Sequence, residues 1–220
     1  QLGGYHQRAV KKIIISRDLS IQCRLGMIYL SDKVRNYNDK RKGKQPMIKI
    51  DDWVIEKGEK AQGKIEIVGR GMAMPATVIC GAEDGPTILI TAGIHSAEYV
   101  GIQAAMELAK EFQPEELKGN VIIIPLVNVS GFEHRTMSMV YEDGKNLNRV
   151  FPGNPEGTAA ECIACTIVRK LFSITDYYID LHSGDGYEQL HPYVYYVGVV
   201  DEDTVEKSLH MARHIGVKYV

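Results

Sequence analysis

The segment TILITAGIHSAE, residues Thr87–Glu98, decides the fold, because it joins an apolar strand to the start of a helix. Its first part, Thr87–Gly93, is a short continuous apolar run, which is typical of a strand buried on both faces of a sheet. The residues from Glu98 to Phe112 then repeat apolar side chains with a helical period. A strand that runs directly into a helix is the building unit of an α/β fold.

The same alternation continues along the chain on both sides of this segment. The apolar patterns predict strands at Lys64–Arg70, Ala76–Gly81, Val121–Val127, Asp176–His182 and Tyr193–Val200, and a last strand beginning at Val217. They also predict helices at Pro155–Phe172 and Asp203–Ile215, and Gly85-Pro86 predicts a turn. We therefore expect an α/β fold, with a mostly parallel or mixed central sheet flanked by helices.

The first 46 residues differ in charge from the rest of the chain. They hold 11 Lys and Arg against 3 Asp and Glu, a net charge of +8, whereas residues 47–220 hold 15 against 25, a net charge of −10. The run Lys33–Lys44 is polar and lacks an apolar period, so residues 1–46 are predicted to be a basic extension, disordered or not native to the domain that follows. KKIII at 11–15 and IQCRLGMIYL at 21–30 leave two alternatives open, a basic docking arm or a part of the fold.

Composition excludes several classes of protein. With 45% hydrophobic and 25% charged residues, the 220-residue chain has the make-up of a globular protein. Its acidic main body predicts no nucleic-acid partner, and no apolar run reaches the roughly 18 residues of a membrane span, which predicts no membrane partner. Four cysteines are too few for a disulfide scaffold, which favours a reducing compartment and a cytoplasmic location. The composition leaves a homo-oligomer open.

Side chains that can bind a metal follow two of the predicted strands. His95 and Glu98 lie three residues apart where a strand is expected to pass into a helix, and His182 ends another strand. Carboxyl ends of parallel strands share one edge of a sheet, where sites collect. Two histidines and a glutamate leave a fourth position on zinc for water. The plain alternative makes His95 a loop residue and Glu98 an acid favoured by the helix dipole.

A long irregular stretch, residues 128–154, carries further polar candidates. Arg149 can hold a carboxylate with two parallel hydrogen bonds, Asn148 can add a donor, and Arg135 lies in the same region. A solvated surface loop is the alternative, although loops of this length in a compact domain are usually functional.

Three segments together carry a resemblance that covers residues 47–220. TAGIHSAEYVGI (Thr91–Ile102), DGKNLNRVFPG (Asp143–Gly153) and YIDLHSGD (Tyr178–Asp185) occur in the order found in the succinylglutamate desuccinylase/aspartoacylase family, a branch of the zinc carboxypeptidase superfamily. The resemblance implies one zinc ion, with His95, Glu98 and His182 as its ligands. It also implies that Asn148 and Arg149 bind the substrate's carboxylate and that Arg135 polarises the scissile carbonyl.

The same resemblance implies an activity. It makes residues 47–220 a zinc hydrolase catalytic domain that cleaves an amide bond, with an N-acyl amino acid or a similar small carboxylate-bearing molecule as its partner. Three alternatives stay open, which are a zinc carboxypeptidase acting on short peptides, a non-catalytic metal- or ligand-binding relative, and a nucleic-acid or membrane-surface binder working through residues 1–46.

One feature of the family is expected to be missing. Its general-base glutamate lies on a late strand, well beyond the third zinc ligand, and only 38 residues follow His182 here. Glu188, Glu202 and Glu206 come too early to match it. We therefore expect a sequence truncated at its C-terminus and, since a general base typically contributes about 10²–10⁴-fold to rate, a chain that hydrolyses poorly as a fragment.

Two other motifs are predicted to have no part in a site. Cys162 and Cys165 form a C-x-x-C within a predicted helix, so two small buried residues are expected there. His210 and His214 are four apart on another predicted helix without the acid of an H-E-x-x-H motif, so both are expected at the surface.

Removal of residues 1–46 tests the predicted domain boundary. Because this composition cannot bury much surface, the shortened chain should keep the melting temperature and the zinc affinity of the full chain. Thermal unfolding and zinc titration of both chains measure this. A large drop in melting temperature would make one of the two apolar runs in residues 1–46 a part of the fold.

Overall fold

A mixed six-stranded sheet forms the centre of the computed structural model, which describes residues 24–26, 47–198 and 200–220. The strands are β1 (Arg24–Gly26), β2 (Ile48–Ile50), β3 (Trp53–Ile55), β4 (Lys60–Glu66), β5 (Ala73–Cys80), β6 (Glu83–Ala92), β7 (Lys118–Ile124) and β8 (Tyr177–His182). The helices are α1 (Tyr99–Glu111), α2 (Val129–His134), α3 (Ala159–Thr166) and α4 (Glu202–His214). A π-helical turn, Ile167–Leu171, continues α3, and short 3₁₀ turns lie at Pro114–Glu116, Leu147–Arg149 and Phe172–Ile174.

Strand order explains where a site can form. The sheet runs β1-β8-β6-β7-β5-β4, while β2 and β3 make a separate hairpin. The three central neighbours β8, β6 and β7 are parallel, and the outer pairs are antiparallel. The mixed sheet confirms the predicted fold class. Because the three central strands are parallel, their carboxyl ends lie at one edge of the sheet.

Helices cover both faces of the sheet, so its central strands are buried on both sides. On one face, Leu89 of β6 and Ile122 of β7 belong to a core that includes Ile163 of α3. On the other, Ile90 belongs to a core that includes Ile102 of α1 and, from α4, Met211. This two-sided burial is the reason why Thr87–Gly93 is a continuous apolar run and not an alternating one.

Several predicted elements are confirmed and their ends adjusted. The helices predicted at 98–112 and 203–215 are α1 and α4, and the strand at 176–182 is β8. The helix predicted to begin at Pro155 begins instead at Ala159, because Thr158 is its N-cap residue. The backbone N–H of Thr158 donates to Glu161 Oε2 at 2.7 Å. The strand predicted to reach Val127 ends at Ile124, before Pro125, whose ring lacks an N–H for the ladder.

Other predictions about strands are wrong. Gly85-Pro86 lies inside β6 and not in a turn, at a register irregularity between Glu83 and Thr87. The described residues of 193–200 contain no strand, and the bridge between Tyr193 and Tyr219 is an isolated one. Strand preference depends on packing against a neighbouring strand, and a single bridge does not extend into a ladder. The last strand expected from Val217 onwards is likewise reduced to this bridge among the described residues.

The N-terminal extension is described only at β1. This strand pairs antiparallel with β8, with Arg24 opposite His182 and Gly26 opposite Asp180. The segment KKIII lies outside the described residues, and IQCRLGMIYL is described only at Arg24–Gly26. The division of the chain at residue 46 therefore stays a prediction.

Helix α1 lies close to β8 at Gly101, and this contact generates a stability prediction. A Cβ at Gly101 would lie 2.9 Å from the carbonyl oxygen of Leu181. Alanine normally stabilises a helix by about 1 kcal/mol relative to glycine, but overpacking costs about 1–3 kcal/mol. We expect Gly101→Ala to lower the free energy of unfolding in a urea titration.

Gly198→Ala is the control for this substitution. Nothing lies within 4 Å of the Cβ that it would add, so its unfolding free energy should stay near that of the unchanged chain. If Gly101→Ala instead stabilised the protein, α1 would not be held against β8 at this point.

Candidate metal centre

His95, Glu98 and His182 come together at the edge where the parallel strands end. His95 and Glu98 lie in the turn between β6 and α1, and His182 is the last residue of the neighbouring strand β8. Gly93 has a φ of +67°, which turns the chain directly after β6 at no steric cost. Glu98 precedes α1 with φ −85° and ψ 63°, so both residues lie before the helix, although the sequence predicts a helix that begins at Glu98.

The Glu98 carboxylate lies between the two imidazoles. Its Oε1 is 2.8 Å from His95 Nδ1, and its Oε2 is 2.8 Å from His182 Nδ1. The backbone N–H of Ser183 also donates to Oε2, at 3.0 Å. One ligand atom from each of these three side chains lies within 4.8 Å of the others, the only such group of three or more His, Cys, Asp or Glu among the described residues.

The outward nitrogen of each imidazole faces an oxygen acceptor. His95 Nε2 is 3.1 Å from Asn146 Oδ1, and His182 Nε2 is 2.8 Å from Asp180 Oδ2. An amide oxygen and a carboxylate can only accept, so both Nε2 atoms carry the hydrogen. In a neutral ring, Nδ1 then presents its lone pair to Glu98.

This arrangement fits a metal ion. Two acceptors 2.8 Å apart, such as His182 Nδ1 and Glu98 Oε2, repel one another unless a proton or a cation lies between them. Two imidazoles and a carboxylate are a common donor set for zinc. Oxygen acceptors behind the imidazoles, here Asn146 and Asp180, hold such ligands in the orientation that metal binding requires.

The pKa values of Glu98 and His182 are shifted far from their ordinary values. Burial would raise the pKa of Glu98, but hydrogen bonds from His182 and His95 hold that pKa at about 2. Burial would lower the pKa of His182, but the charge of Asp180 and the hydrogen bonds to Asp180 and Glu98 raise it to about 10. Without a metal, Glu98 is therefore ionised and His182 keeps its proton at neutral pH. A metal that takes the Nδ1 position must release this proton.

A cavity of about 640 Å³ opens beside the turn that carries His95 and Glu98. Ser96 and Ala97, which lie between these two residues, form part of its wall, and the other lining residues include Tyr99, Phe132, Glu133, Arg135, Met137 and Tyr187. Tyr99 and Phe132 pack edge to face, with ring centroids 5.9 Å apart. The volume is in the range of small-molecule sites, and the wall combines aromatic surface with charge.

The predicted substrate residues occupy two different places. Arg135 lines the cavity and closes α2 in a left-handed conformation, with φ 57°. Asn148 and Arg149 lie on the 3₁₀ turn next to Asn146 and are not among the residues described as lining the cavity. The guanidinium of Arg149 is exposed, and its Nη1 donates to the Asn148 carbonyl oxygen at 3.2 Å. The roles of all three residues stay predictions.

Asn146 joins the 3₁₀ turn to the candidate ligands. Its Oδ1 accepts from the N–H of Asn148 at 2.9 Å as well as facing His95. Sequence reasoning missed this contact, since nothing in the pattern links residues 51 positions apart. It also missed the contact of Asp180 with His182, although the sequence does contain a signal for this contact. Residues i and i+2 of a strand share a face, which places Asp180 beside His182.

The motifs predicted to lie outside the site do so. Cys162 and Cys165 are buried within α3. His210 and His214 lie on α4 with ring centroids 4.2 Å apart, and His210 is exposed whereas His214 is half-buried. The prediction for the two cysteines is confirmed, and the surface position is confirmed for His210 but not for His214.

The mixed sheet, with a polar group at the ends of its parallel strands, places this chain in the class of zinc-carboxypeptidase-like α/β folds. Within this class, residues 84–220 match the succinylglutamate desuccinylase/aspartoacylase catalytic domain. The chain belongs to this family.

Similar proteins support the assignment. The N-alpha-acetyl-L-2,4-diaminobutyric acid deacetylase of Halomonas elongata is 36% identical over 167 residues, which is 75% of this chain and 46% of the deacetylase. The aspartoacylase family protein from Mesorhizobium loti has a TM-score of 0.59 and 30% identity over 70% of this chain and 50% of its own. The product-bound ectoine utilization protein EutE (DoeB) from Ruegeria pomeroyi has a TM-score of 0.54 and 32% identity over 64% and 44%. The chain thus spans about half the length of these relatives.

The geometry predicts that His182→Ala weakens zinc binding and that His210→Ala does not. His182 places a ring nitrogen against Glu98, whereas His210 lies at the surface of α4. Loss of a ligand should lower the zinc affinity by more than the roughly 10–100-fold that follows from the loss of an outer partner of a ligand. Competition with a chromophoric chelator measures the zinc affinity of both variants. Equal affinities would place the metal elsewhere.

Proposed function

We propose that this protein is a zinc-dependent amide hydrolase that removes the acyl group from an N-acyl amino acid or a similar small carboxylate-bearing molecule. The observation that carries this proposal is the buried Glu98 carboxylate between two imidazoles, beside a cavity of small-molecule size. Membership of the family supports it, as does the likeness to a deacetylase of an N-acetyl amino acid.

His95, Glu98 and His182 would hold the zinc ion. When bound, zinc supplies Lewis-acid polarisation of the amide carbonyl and lowers the pKa of a coordinated water to about 7. Asn146 and Asp180 keep the Nε2 hydrogens of the two histidines directed away from Glu98. Both Nδ1 atoms therefore face the ligand group, and the lone pair of His182 Nδ1 would become available when its proton is released to make way for the metal.

Arg135 would stabilise negative charge on the substrate's carbonyl oxygen as it develops. It lines the cavity together with the residues that adjoin His95 and Glu98. Its backbone N–H donates to the carbonyl of Phe132 at 3.3 Å, which fixes the backbone from which the guanidinium extends. A donor held in place before reaction stabilises a developing oxyanion better than a mobile one.

Asn148 and Arg149 would hold the substrate's carboxylate. The hydrogen bonds of Asn146 with the N–H of Asn148 and with His95 fix this turn relative to the ligand group. The exposed guanidinium of Arg149 offers the planar fork that pairs with a carboxylate. Fixing the carboxylate would hold the amide bond in one orientation for attack.

The proposed partner is therefore a small molecule. No helix among the described residues is long and apolar enough to cross a membrane. A cytoplasmic location remains a prediction from the cysteine content.

A comparison of the zinc-loaded and the metal-stripped protein tests the proposed function. N-acyl amino acids should bind in a calorimetric titration only to the zinc-loaded form, and any release of the free acid from them should stop when zinc is removed. Hydrolysis that continues without metal would contradict the proposal. Binding or cleavage of short peptides, with no response to N-acyl amino acids, would favour a carboxypeptidase. Zinc binding without either response would favour a non-catalytic relative.

The proposed role of Arg149 generates a substitution test. Arg149→Lys keeps the charge but removes the bidentate fork, so it should weaken the binding of N-acyl amino acids to the zinc-loaded protein. Analogues with an amide in place of the carboxylate should bind as they do to the unchanged protein. Lys64→Arg, on β4, serves as a control for a conservative change of a basic residue elsewhere in the chain. Equal losses for carboxylate and amide ligands would make Arg149 a structural residue.

A further inference from the structure

We propose that Thr91 and Tyr178 form a directional hydrogen-bond relay beneath the candidate metal centre, and that this relay positions Asp180 and, through it, the ligand His182. The inference rests on the proposed function, because it concerns how the chain prepares the same three ligands. It adds two positioning residues that make no contact with the metal position themselves.

The relay is a continuous chain of four side chains. The Tyr178 hydroxyl is 2.7 Å from Thr91 Oγ1, which is 2.6 Å from Asp180 Oδ1. The second oxygen, Asp180 Oδ2, is 2.8 Å from His182 Nε2. Thr91, Tyr178 and Asp180 are all buried, at 0%, 5% and 4% exposure.

The direction of every bond follows from the chemistry of the groups. An ionised carboxylate only accepts, so the single hydroxyl hydrogen of Thr91 goes to Asp180. Thr91 Oγ1 is then an acceptor towards Tyr178, whose hydroxyl must donate to it. At the other end, His182 Nε2 donates to Asp180. Each group thus has one orientation, and the Nδ1 of His182 is left facing Glu98.

Strand register builds the relay into the sheet. Strands β6 and β8 are parallel neighbours, and their pairing places Thr91 opposite Asp180. Tyr178 and Asp180 are two residues apart on β8, so their side chains point to the same face. The relay therefore depends on the alignment of β6 with β8, the two strands that carry the candidate ligands.

Loss of the Thr91 hydroxyl should disturb the ligand His182 through Asp180, although the substitution leaves His182 itself unchanged. Asp180 Oδ1 would lose its Thr91 donor in a buried environment, where an uncompensated polar group is costly. The carboxylate could then rotate or recruit water, and His182 would lose its fixed acceptor. Removal of an outer-shell partner typically lowers metal affinity about 10–100-fold.

Four substitutions in the full chain test the relay. Thr91→Val replaces the hydroxyl with a methyl group of similar size, and Thr91→Ser keeps the hydroxyl. Tyr178→Phe removes the outer donor. Thr87→Val is the matched control, because Thr87 is a buried threonine on the same strand whose Oγ1 accepts from Asn120 Nδ2 at 3.1 Å, away from Asp180.

Zinc affinity, measured by chelator competition, and the visible spectrum of the Co²⁺-substituted protein are the readouts. We expect Thr91→Val to weaken zinc binding by about tenfold or more and to alter the Co²⁺ spectrum. Tyr178→Phe should have a smaller effect, since Thr91 keeps its hydrogen for Asp180. Thr91→Ser should restore most of the affinity. Thr87→Val should lose stability but bind zinc like the unchanged chain.

Two outcomes of the affinity measurement would overturn the relay. One is a Thr91→Val affinity equal to that of the unchanged chain. The other is an equal loss in Thr91→Val and Thr87→Val, which would show only that a buried threonine stabilises β6.

A metal-free measurement separates this inference from the proposed function. If the unchanged chain binds no zinc, the proposed function fails, but the relay still predicts a slowly exchanging His182 Nε2 hydrogen in the NMR spectrum of the metal-free chain. Thr91→Val should speed that exchange, and Thr87→Val should not. Equal exchange rates in all three proteins would overturn the relay whether or not zinc binds.

Discussion

The buried contact between the Glu98 carboxylate and two imidazoles is the constraint around which the candidate site is arranged. A buried carboxylate is costly unless it is paired and hydrogen-bonded, and Glu98 obtains its partners from His95, His182 and the N–H of Ser183. These partners come from the turn after β6, from the last residue of β8 and from the residue that follows it. The local geometry of the group is therefore a consequence of how β6 and β8 are aligned.

That alignment is maintained by packing on both sides of the sheet. Gly101 lets α1 approach the backbone of β8 at Leu181, directly before His182. On the β6–β8 pair itself, the register places Thr91 opposite Asp180. The parallel order of β8, β6 and β7 then brings the ends of these strands to one edge, beside the wall that carries Arg135. Core packing and the polar site thus depend on the same two strands.

Sequence reasoning succeeded where a pattern repeats within one element. The apolar run before His95 and the helical periods of α1 and α4 identified the α/β fold, and the placement of His95, Glu98 and His182 at strand ends identified residues that the structure brings together. It failed for residues 193–200, whose described part forms isolated bridges and no strand. It could not reveal the contact of Asn146 with His95, which depends on the folded path of the intervening chain.

We propose above all that His95, Glu98 and His182 together bind zinc. X-ray absorption at the zinc edge of the protein loaded with one equivalent of zinc tests it most directly, since the signal reports the ligand atoms themselves. We expect only nitrogen and oxygen atoms bound to zinc, with the scattering signature of two imidazoles, reduced to one imidazole in His95→Ala. Sulfur in the first shell, or an unchanged signature in His95→Ala, would contradict it.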